Sequence, residues 1–320
     1  MTIAAAEDIR AARAIVADVM PPTPTYSYPL LDARTGVKLF VKHENHTPVG
    51  AFKVRGGLNF MTGYAADGGT KGVITATRGN HGQSVSFAAS RVGVEATIVV
   101  PEGNSVEKNA AMQALGGRLV VHGHDFQAAA EHAAELAAAD GLHMLPSFHP
   151  RLVAGVATYA MEFFETAPDL DAVYVPIGLG SGICGVISAR DALGLKTEVI
   201  GVVSTEAPCY ALSFDAGEPV STNSADTMAD GVACRTPNPD AVATINASAA
   251  RIVRVSDAEV MAAMRAYYAD CHNVVEGAGA APLAALIQEK DRMAGKRVGL
   301  IVTGGNIGRS LYMEALAAGD

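Results

Sequence analysis

The sequence predicts an α/β fold built on mostly parallel β-sheets. Short runs rich in β-branched and apolar residues alternate with Ala-rich runs of helical period, which is the pattern of strands connected through helices. Several strand-like runs are apolar almost throughout, as parallel strands are when helices cover both faces of their sheet. The chain has 320 residues, 49% of them hydrophobic, and this is enough for two domains of ordinary size.

Eight runs are predicted as strands, in chain order: residues 37–44, 72–77, 96–101, 118–123, 172–178, 198–204, 251–256 and 297–304. Ala-rich helices are predicted between them, for example at residues 104–117, 125–141 and 257–273. This number of strands fits one large sheet or two smaller ones, and no linker rich in Pro and Ser marks a boundary. The stretch 205–250 is predicted to be mostly loop, and long irregular regions are often functional.

Charge and composition exclude several classes of function. With a formal net charge of -9 and no block of basic residues, the chain is a poor partner for nucleic acid or an anionic membrane. The N-terminal residues lack the layout of a signal peptide, and no run of about 18 uncharged apolar residues predicts a membrane span. The 4 cysteines are scattered, which fits reduced thiols better than disulfides or a zinc site. We therefore expect a cytoplasmic protein.

A lysine in apolar surroundings is the first candidate for chemistry. In TPVGAFKVRGG (47–57), Lys53 directly follows an Ala-Phe pair and has glycines on both sides. Lysine is almost never fully buried without a partner. A buried Lys53 would therefore indicate a function.

A glycine-rich turn is the second candidate. In VPIGLGSGICG (175–185) an apolar strand ends, and glycines alternate with Leu179 and Ser181 before a helix. Glycines allow a ligand to approach the backbone, and the N–H groups of such a turn favour a phosphate. A tight strand-to-helix turn is the alternative. No Gly-Lys-Ser/Thr follows, so this is not an ATP-binding P-loop.

Three further segments place polar or small residues next to strands and helices. In TATRGNHGQS (75–84), Asn80 and His81 follow a strand, where open α/β sheets bind ligands, although either side chain could be a structural cap. In VTGGNIGR (302–309), a hydroxyl and two glycines follow a strand and suit contact with a flat or anionic group. In NVVEGAGAAPLAAL (273–286), a small-residue run suits packing against a ligand or another helix.

The order of these motifs is more specific than any one of them. KHENHTPVGAFKVRGG, TATRGNHGQS, PIGLGSGICG, TMADG, EGAGA and TGGN follow one another from about Thr23 to Arg309. In this order and spacing the sequence resembles the fold-type-II pyridoxal-phosphate enzymes, in particular the threonine/serine dehydratase and serine racemase branch. The resemblance implies two open, mostly parallel sheets covered by helices, as in tryptophan synthase β. It also implies a large cofactor-binding domain of residues 1–66 and 146–320 and a small inserted α/β domain of residues 67–145.

The resemblance also implies which residues form the site. Lys53 would form a Schiff base with pyridoxal 5'-phosphate and, once freed by the substrate, would take the proton from its Cα. In relatives, the equivalents of Asn80, residues 178–182 and Thr303 contact the ring hydroxyl, the phosphate and the pyridine nitrogen. The implied cofactor-binding residues are Phe52, Asn80, Gly178, Leu179, Gly180, Ser181, Gly182, Glu276 and Thr303. The implied substrate-binding residues are Thr77, Arg78, Gly79, His81, Ser147 and Phe148.

Thr303 bears on the type of reaction that the resemblance implies. A hydroxyl holds a proton on the pyridine nitrogen less well than a carboxylate does, so loss of a β-substituent is favoured over transamination. We expect dehydration and deamination of a 3-hydroxy-L-amino acid to a 2-oxo acid and ammonia, as in the threonine/serine dehydratases. The alternatives are an amino-acid racemase, a β-replacement synthase and a non-catalytic ligand-binding relative.

Two positions depart from the pattern of the family. Ala51 stands where serine is usual before Phe-Lys, and Arg78 stands where serine racemases carry the serine that acts as a second acid or base. Arginine is effectively always protonated, which disfavours the racemase. Arg78 could instead bind a substrate carboxylate, stack on an aromatic ring, or form an ion pair away from the site. Together with Tyr26, Tyr28 and His149, Arg78 is compatible with a bulkier or acidic substrate, such as phenylserine or 3-hydroxyaspartate.

Metal binding and partners complete the expectations. We expect no metal site, because Val202 and Pro208 replace the acids of a divalent-cation site in relatives and only Glu206 remains nearby. The chain ends soon after Arg309, which implies a catabolic enzyme without a regulatory domain. The expected partners are a small amino-acid substrate and further copies of the chain, as a homodimer or homotetramer. Neither nucleic acid nor a membrane is expected.

Overall fold

The computed structural model describes residues 3–319 and contains two separate β-sheets. Its strands in chain order are β1 Thr25–Tyr26, β2 Lys38–His43, β3 Val73–Ala76, β4 Ala96–Val100, β5 Gly117–Val121, β6 His143–Met144, β7 Ala172–Pro176, β8 Glu198–Ser204, β9 Arg251–Val255 and β10 Arg297–Val302. Within this range β1 and β2 pair antiparallel, and the other neighbouring strands pair parallel. Two open, mostly parallel sheets confirm the predicted fold class.

Helices connect and cover the strands. In chain order the α-helices are α1 Ala6–Ala17, α2 Pro29–Thr35, α3 Lys53–Ala66, α4 Asn80–Arg91, α5 Val106–Ala114, α6 Phe126–Asp140, α7 Pro150–Thr166, α8 Ser181–Ala192, α9 Cys209–Ala216, α10 Pro239–Ser248, α11 Asp257–Cys271, α12 Gly277–Gln288, α13 Lys290–Met293 and α14 Arg309–Ala317. No helix within residues 3–319 has the length and apolar character needed to cross a membrane.

The larger sheet is buried on both faces. Its strand order is β1-β2-β10-β7-β8-β9. Successive residues of β7 point to opposite faces, so Val173 and Val175 join the apolar cluster that includes α7 and α8. Ala172 and Tyr174 join the cluster that includes α11 and α12. Helices on both sides therefore explain why the strand is apolar throughout.

The smaller sheet has the strand order β5-β4-β3-β6. Its four strands lie between Val73 and Met144, and the strands of the larger sheet lie before and after this interval. Helices α4, α5 and α6 pack against it. The domain boundaries given above, with residues 67–145 as the inserted domain, stay a prediction.

The predicted strands are all present, with ends that differ by at most two residues. The prediction missed β1 and β6, because two residues are too few to show a period. The stretch 205–250 is mostly loop, as predicted, but the prediction missed α9 and α10 within it. The start of α10 does carry a sequence signal, since Asn238 caps the helix and Pro239 is its first residue.

A buried ion cluster fixes the start of α3, the helix that begins at Lys53. The guanidinium of Arg55 is fully buried and donates at 2.7 Å both to Glu44, after β2, and to Glu162 in α7. Lys42, at 0% exposure, also donates to Glu162 at 2.7 Å. Removing one partner would leave an uncompensated buried charge, which costs about 3–5 kcal/mol. The backbone next to Lys53 is therefore firmly anchored.

Candidate active site

A cavity of about 430 Å³ lies where strands of both sheets end. Residues 76–81 after β3 and residues 178–179 after β7 contribute to its wall. The carboxyl ends of parallel strands are where open α/β sheets bind ligands. Ten of the predicted site residues line this cavity: Lys53, Thr77, Arg78, Gly79, Asn80, His81, Ser147, Gly178, Leu179 and Glu276.

Lys53 is the first residue of α3, and its side chain lines the cavity. Burial lowers the pKa of Lys53 to about 8, although the carboxylate of Glu276 acts in the opposite direction. The ammonium nitrogen lies 4.9 Å from the centroid of the Phe52 ring. Near neutral pH, more of this amine is uncharged than in an ordinary lysine. It can therefore act as a nucleophile or as a base.

The backbone around Lys53 is bonded to two other segments of the site. Phe52 donates its N–H to the carbonyl of Thr303 at 2.9 Å, which joins this segment to the residue after β10. Ser84 of α4 donates its hydroxyl to the carbonyl of Lys53 at 2.6 Å. These bonds fix the backbone from which the lysine side chain extends.

The glycine-rich turn of residues 178–182 connects β7 to α8. Gly180 has a φ of +98°, in the left-handed region that glycine adopts more easily than other residues. A Cβ atom on Gly178 would lie 2.2 Å from the carbonyl oxygen of Gly231. The turn therefore packs directly against the loop that contains Gly231, and only glycine fits there.

A buried tyrosine holds the middle of this turn. Tyr210 of α9 donates its hydroxyl to the carbonyl of Leu179 at 2.9 Å and accepts the N–H of Asn238 at 3.0 Å. The helix that follows the turn, α8, has no side-chain cap at its N-terminus. Its first N–H groups, with those of the turn, form a site suited to an anion such as phosphate.

Asn80 and Glu276 are hydrogen-bonded in the cavity wall. Asn80 is the first residue of α4 and donates its amide to Glu276 Oε1 at 2.7 Å. Burial raises the pKa of Glu276 to about 7, although the positive charge of Lys108 and the bond from Asn80 lower it. Glu276 can therefore hold or release a proton near neutral pH.

Two cations and one carboxylate lie together in the cavity wall. Lys108 donates to Asp230 Oδ2 at 2.8 Å, whereas Arg78 Nη1 lies 3.8 Å from Asp230 Oδ1. The side chain of Arg78 is 49% exposed. Its contact with Asp230 is long, so its guanidinium keeps N–H donors for a ligand. Arg78 thus lines the cavity beside Asp230.

His81 is a buried, uncharged base in the wall. Burial and the positive charge of Lys53 lower the pKa of His81 to about 3. Among the described residues, no hydrogen-bond partner of its Nε2 atom is found. A buried nitrogen without a partner is unfavourable, which fits a position that a ligand completes.

The other predicted site residues are not among the described residues that line the cavity. The described residues that line the cavity do not include Phe52, Gly180, Ser181, Gly182, Thr303 or Phe148. The ring of Phe148 lies 3.6 Å from a Cβ placed on Gly180 and packs in the core cluster of α7 and α8.

Three aromatic residues expected near the substrate lie elsewhere. Tyr28 is hydrogen-bonded to His43 at 2.9 Å, and the side chain of Tyr26 packs against the rings of both. His149 accepts the N–H of Arg151 at 3.1 Å as the cap of α7. The cavity wall that the structure describes includes none of the three. The expectation that they shape the substrate site is therefore wrong, because each side chain already has a structural partner.

Part of the cavity wall was not recognised in the sequence. Lys108 lies in the first turn of α5 with no local signal of function. Asp230 belongs to the TMADG motif, but no role is predicted for it from the sequence. The remaining unrecognised wall residues are Ala76, Asp125, Phe126, Gln127, Gly231, Ala233, Cys234, Arg235 and Thr236.

A metal centre is not part of the described site. In residues 3–319 no group of three or more His, Cys, Asp or Glu side chains is placed to hold a metal ion. Val202 is buried in β8, and Pro208 precedes α9. A divalent cation needs several oxygen ligands, and Glu206 supplies one carboxylate.

Fold and site together define a class of enzyme. Parallel sheets with a cavity at their carboxyl ends, a lysine of lowered pKa and a glycine turn at a helix N-terminus suit an enzyme that binds a phosphate-bearing cofactor. The profile of the family described as "Pyridoxal-phosphate dependent enzyme" matches residues 16–304. The chain belongs to this family.

Curated relatives include enzymes with three different names. L-threonine ammonia-lyase from Geobacter sulfurreducens is 36% identical over 278 residues, which are 86% of this chain and 68% of that protein. Biosynthetic L-threonine dehydratase from Escherichia coli is 33% identical over 94% of this chain and 60% of that protein. L-threo-3-hydroxyaspartate ammonia-lyase from a Pseudomonas species is 33% identical over 92% of each. The chain thus spans about three fifths of the biosynthetic dehydratases that it matches.

Solved structures of the same family superpose on the chain. The processed form of threonine deaminase isoform 2 from Solanum lycopersicum has a TM-score of 0.91 and 33% identity, and the match covers 98% of this chain and 92% of that one. Maize serine racemase has a TM-score of 0.91 and 28% identity, with 98% and 97% covered. These matches confirm the fold-type-II architecture, and the family confirms pyridoxal phosphate as the cofactor.

The residues of the site fit this cofactor. The hydroxyl of Thr303 is buried at 3% exposure, and no partner for it occurs among residues 3–319. An unpaired buried hydroxyl costs about 1–3 kcal/mol, so a bound acceptor such as a pyridine nitrogen would stabilise the site. The glycine turn and the uncapped start of α8 suit the phosphate group. Lys53 provides the amine that would form the Schiff base with the cofactor aldehyde.

Proposed function

We propose that the protein catalyses pyridoxal-phosphate-dependent β-elimination from a 3-hydroxy-L-amino acid, with release of a 2-oxo acid and ammonia. The observation that carries this proposal is the partly buried Lys53, whose pKa is lowered to about 8, together with the unpartnered hydroxyl of Thr303. The names of the relatives, L-threonine ammonia-lyase and L-threo-3-hydroxyaspartate ammonia-lyase, support the same reaction.

We assign cofactor-binding roles to residues on four segments. The turn of residues 178–182 would hold the phosphate, and Asn80 would donate to the ring hydroxyl oxygen. Thr303 would donate to the ring nitrogen, and Phe52 would pack beside the ring. When bound, pyridoxal phosphate supplies an aldehyde that joins the substrate amine and a conjugated ring that accepts the electron pair released at Cα.

Lys53 would perform the proton transfer. As a neutral amine it takes the proton from the substrate Cα, and the Cα electron pair then expels the hydroxyl group from Cβ. The leaving oxygen would depart as water with one proton, which balances the proton that Lys53 removes from Cα. A second water would then hydrolyse the enamine product to the 2-oxo acid and ammonia. Thr303 would donate to the ring nitrogen without transferring a full proton, which favours loss of the β-substituent over transamination.

The substrate-binding residues would surround the start of α4. Backbone N–H groups of residues 77–81 would hold the α-carboxylate at the N-terminus of this helix, with Ser147 across the cavity. Arg78 would bind the substituent on Cβ. A guanidinium that retains free donors favours a second carboxylate, so 3-hydroxyaspartate is the substrate that we propose, with phenylserine as the alternative.

A substrate panel tests this function. Purified holoenzyme is incubated with L-serine, L-threonine, phenylserine and 3-hydroxyaspartate, and ammonia and 2-oxo acid are measured. We expect both products in equal amounts from at least one of these compounds. Lys53→Ala should abolish release, whereas Lys71→Ala, at an exposed position, should not. Racemisation without 2-oxo acid, or turnover only with an added thiol, would instead support the racemase or the β-replacement synthase.

We also propose that the chain forms a homodimer or homotetramer. Leu30, Tyr268 and Met313 are large apolar side chains that are at least half exposed. They lie on α2, α11 and α14, and α11 packs against the other two helices. Exposed apolar side chains grouped on neighbouring helices are typical of an interface. Light scattering of the purified protein would give the mass of the assembly, and a monomer would refute this proposal.

A further inference from the structure

The asparagine of the TGGN segment connects the lysine segment to the cavity. Asn306 donates its amide to the carbonyl of Val49 at 2.8 Å and to Asn80 Oδ1 at 2.9 Å. Asn80 in turn donates to Glu276 Oε1 at 2.7 Å. A chain of hydrogen bonds therefore runs from a backbone carbonyl, close to Lys53, to a buried carboxylate in the cavity wall.

The backbone end of this chain determines the direction of every bond in it. The carbonyl of Val49 can only accept, so the amide nitrogen of Asn306 must face it. The same nitrogen faces Asn80, so Asn80 must present its oxygen there. The amide nitrogen of Asn80 is then directed to Glu276. The orientation of a side-chain amide depends on its partners in this way.

The position of Asn306 is itself tightly constrained. Gly50 has a φ of +69°, and a Cβ atom there would lie 2.7 Å from Asn306 Oδ1. Gly305 donates its N–H to the carbonyl of Gly50 at 3.0 Å. The amide nitrogen of Asn306 also lies 3.4 Å from Gln83 Oε1, which surrounds it with acceptors. A rotated Asn306 would place its oxygen against these acceptors, so one orientation is favoured.

We propose that Asn306 is a positioning residue, which holds the amide of Asn80 with its N–H donors toward Glu276 and the cofactor. Asn306 acts through Asn80 and does not itself touch the substrate. The kinetic test of this proposal rests on the proposed function, because it requires a substrate that turns over. Its spectroscopic readout requires only that the cofactor binds.

Asn306→Asp is the decisive variant, because it keeps the shape of the side chain and replaces the donor with an acceptor. The new carboxylate repels Asn80 Oδ1, so the Asn80 amide turns and presents its oxygen to Glu276. The cofactor then loses a donor, and Glu276 is favoured in its protonated form. We expect kcat to fall by about 10–100-fold, as for losses of supporting hydrogen bonds in other sites. The holoenzyme absorbance band at roughly 410–420 nm should titrate at a different pH.

A double-mutant cycle with Asn80→Ala separates positioning from folding. If Asn306 acts through Asn80, Asn306→Asp should change kcat and the absorbance titration by less than about twofold when Asn80 is already alanine. Asn59→Asp is the matched control. Asn59 donates its amide to the carbonyl of Arg151 at 2.7 Å from a partly buried position in α3, away from the cavity wall. It should leave the titration unchanged.

The results of this cycle distinguish a positioning role of Asn306 from a purely structural one. Non-additive losses with a shifted titration support the proposal. Equal losses in both backgrounds, or an unshifted titration in Asn306→Asp, overturn it. Asn306→Ala serves in the same cycle if the aspartate variant does not fold. If no substrate turns over, the proposed function fails, but the absorbance titration still decides the role of Asn306.

Discussion

At the scale of single residues, the cavity holds a lysine and a glutamate whose pKa values are shifted toward each other. Burial lowers the pKa of Lys53 to about 8 and raises the pKa of Glu276 to about 7. Each shift has the same cause, because burial disfavours the charged form of both groups. Pairs of this kind identify groups that exchange protons near neutral pH.

The first prediction concerns the reactivity of Lys53. In protein stripped of cofactor, the rate at which added pyridoxal phosphate restores the lysine-bound absorbance should rise with pH, with a midpoint near pH 8. The neutral amine is the nucleophile, and an ordinary lysine would have its midpoint at about pH 10.4. Glu276→Gln should move the midpoint to lower pH, because the carboxylate of Glu276 raises the pKa of Lys53. A midpoint near that of exposed lysines would contradict the burial of this amine.

The second prediction concerns Arg78. If this guanidinium binds a second carboxylate, Arg78→Ala should lower kcat/KM for 3-hydroxyaspartate by about 30–100-fold, which corresponds to about 2–3 kcal/mol. The same change should alter kcat/KM for serine by less than about threefold. Arg91→Ala is the control, because Arg91 lies at an exposed position at the end of α4, the helix that follows Arg78. Equal losses for both substrates would indicate a structural role for Arg78.

At the scale of elements, the turn between β7 and α8 depends on support from a distant helix. Tyr210 of α9 is 1% exposed and holds the carbonyl of Leu179. The stretch that contains α9 had been predicted as loop, so this support could not be expected from the sequence. The glycine spacing predicts the turn, because the backbone conformation of a turn depends on local residues. The contact of the turn with Tyr210 depends on tertiary packing.

The third prediction follows from that contact. Tyr210→Phe removes one hydroxyl that bridges Leu179 and Asn238, and it preserves the ring in the core. We expect cofactor affinity to fall by about 5–10-fold, because a lost buried hydrogen bond costs about 1–1.5 kcal/mol. Fluorescence titration of the stripped protein with pyridoxal phosphate measures this. Tyr312→Phe is the control, since no partner of the Tyr312 hydroxyl is found among the described residues. Unchanged affinity in Tyr210→Phe would show that the turn holds its shape alone.

At the scale of the whole molecule, local motifs predicted much of the site but not its rim. Lys53, Asn80, Gly178 and Glu276 lie in four segments far apart in the sequence. The order of their motifs predicts that they meet in one cavity only through the resemblance to a known family. No sequence motif predicted the ion pair between Lys108 and Asp230. Lys108 is an ordinary helical lysine in the sequence, and it meets Asp230 only when the two sheets lie side by side. Long-range contacts of this kind depend on the packing of the complete fold.

The last prediction concerns the stability of the whole chain in acid. Burial lowers the pKa of His43 to about 4, and burial with the charge of Lys53 lowers the pKa of His81 to about 3. An unfolded histidine has a pKa of about 6.5, so below that pH the unfolded chain binds protons that the folded chain does not. Stability is therefore complete above about pH 6.5 and is lost progressively as the pH falls toward about 4 and then about 3.

At pH 4.5 this loss should reach about 2–3 kcal/mol for each of the two histidines. The melting temperature of the holoenzyme, measured by calorimetry between pH 7.5 and 4.5, should fall accordingly. In His43→Gln the fall should be shallower, since one of the two groups no longer titrates. His124→Gln should follow the original curve, because the His124 side chain is 87% exposed. If His43→Gln and the unaltered protein lose stability in parallel, His43 is not kept uncharged by burial, and other groups must account for the acid sensitivity.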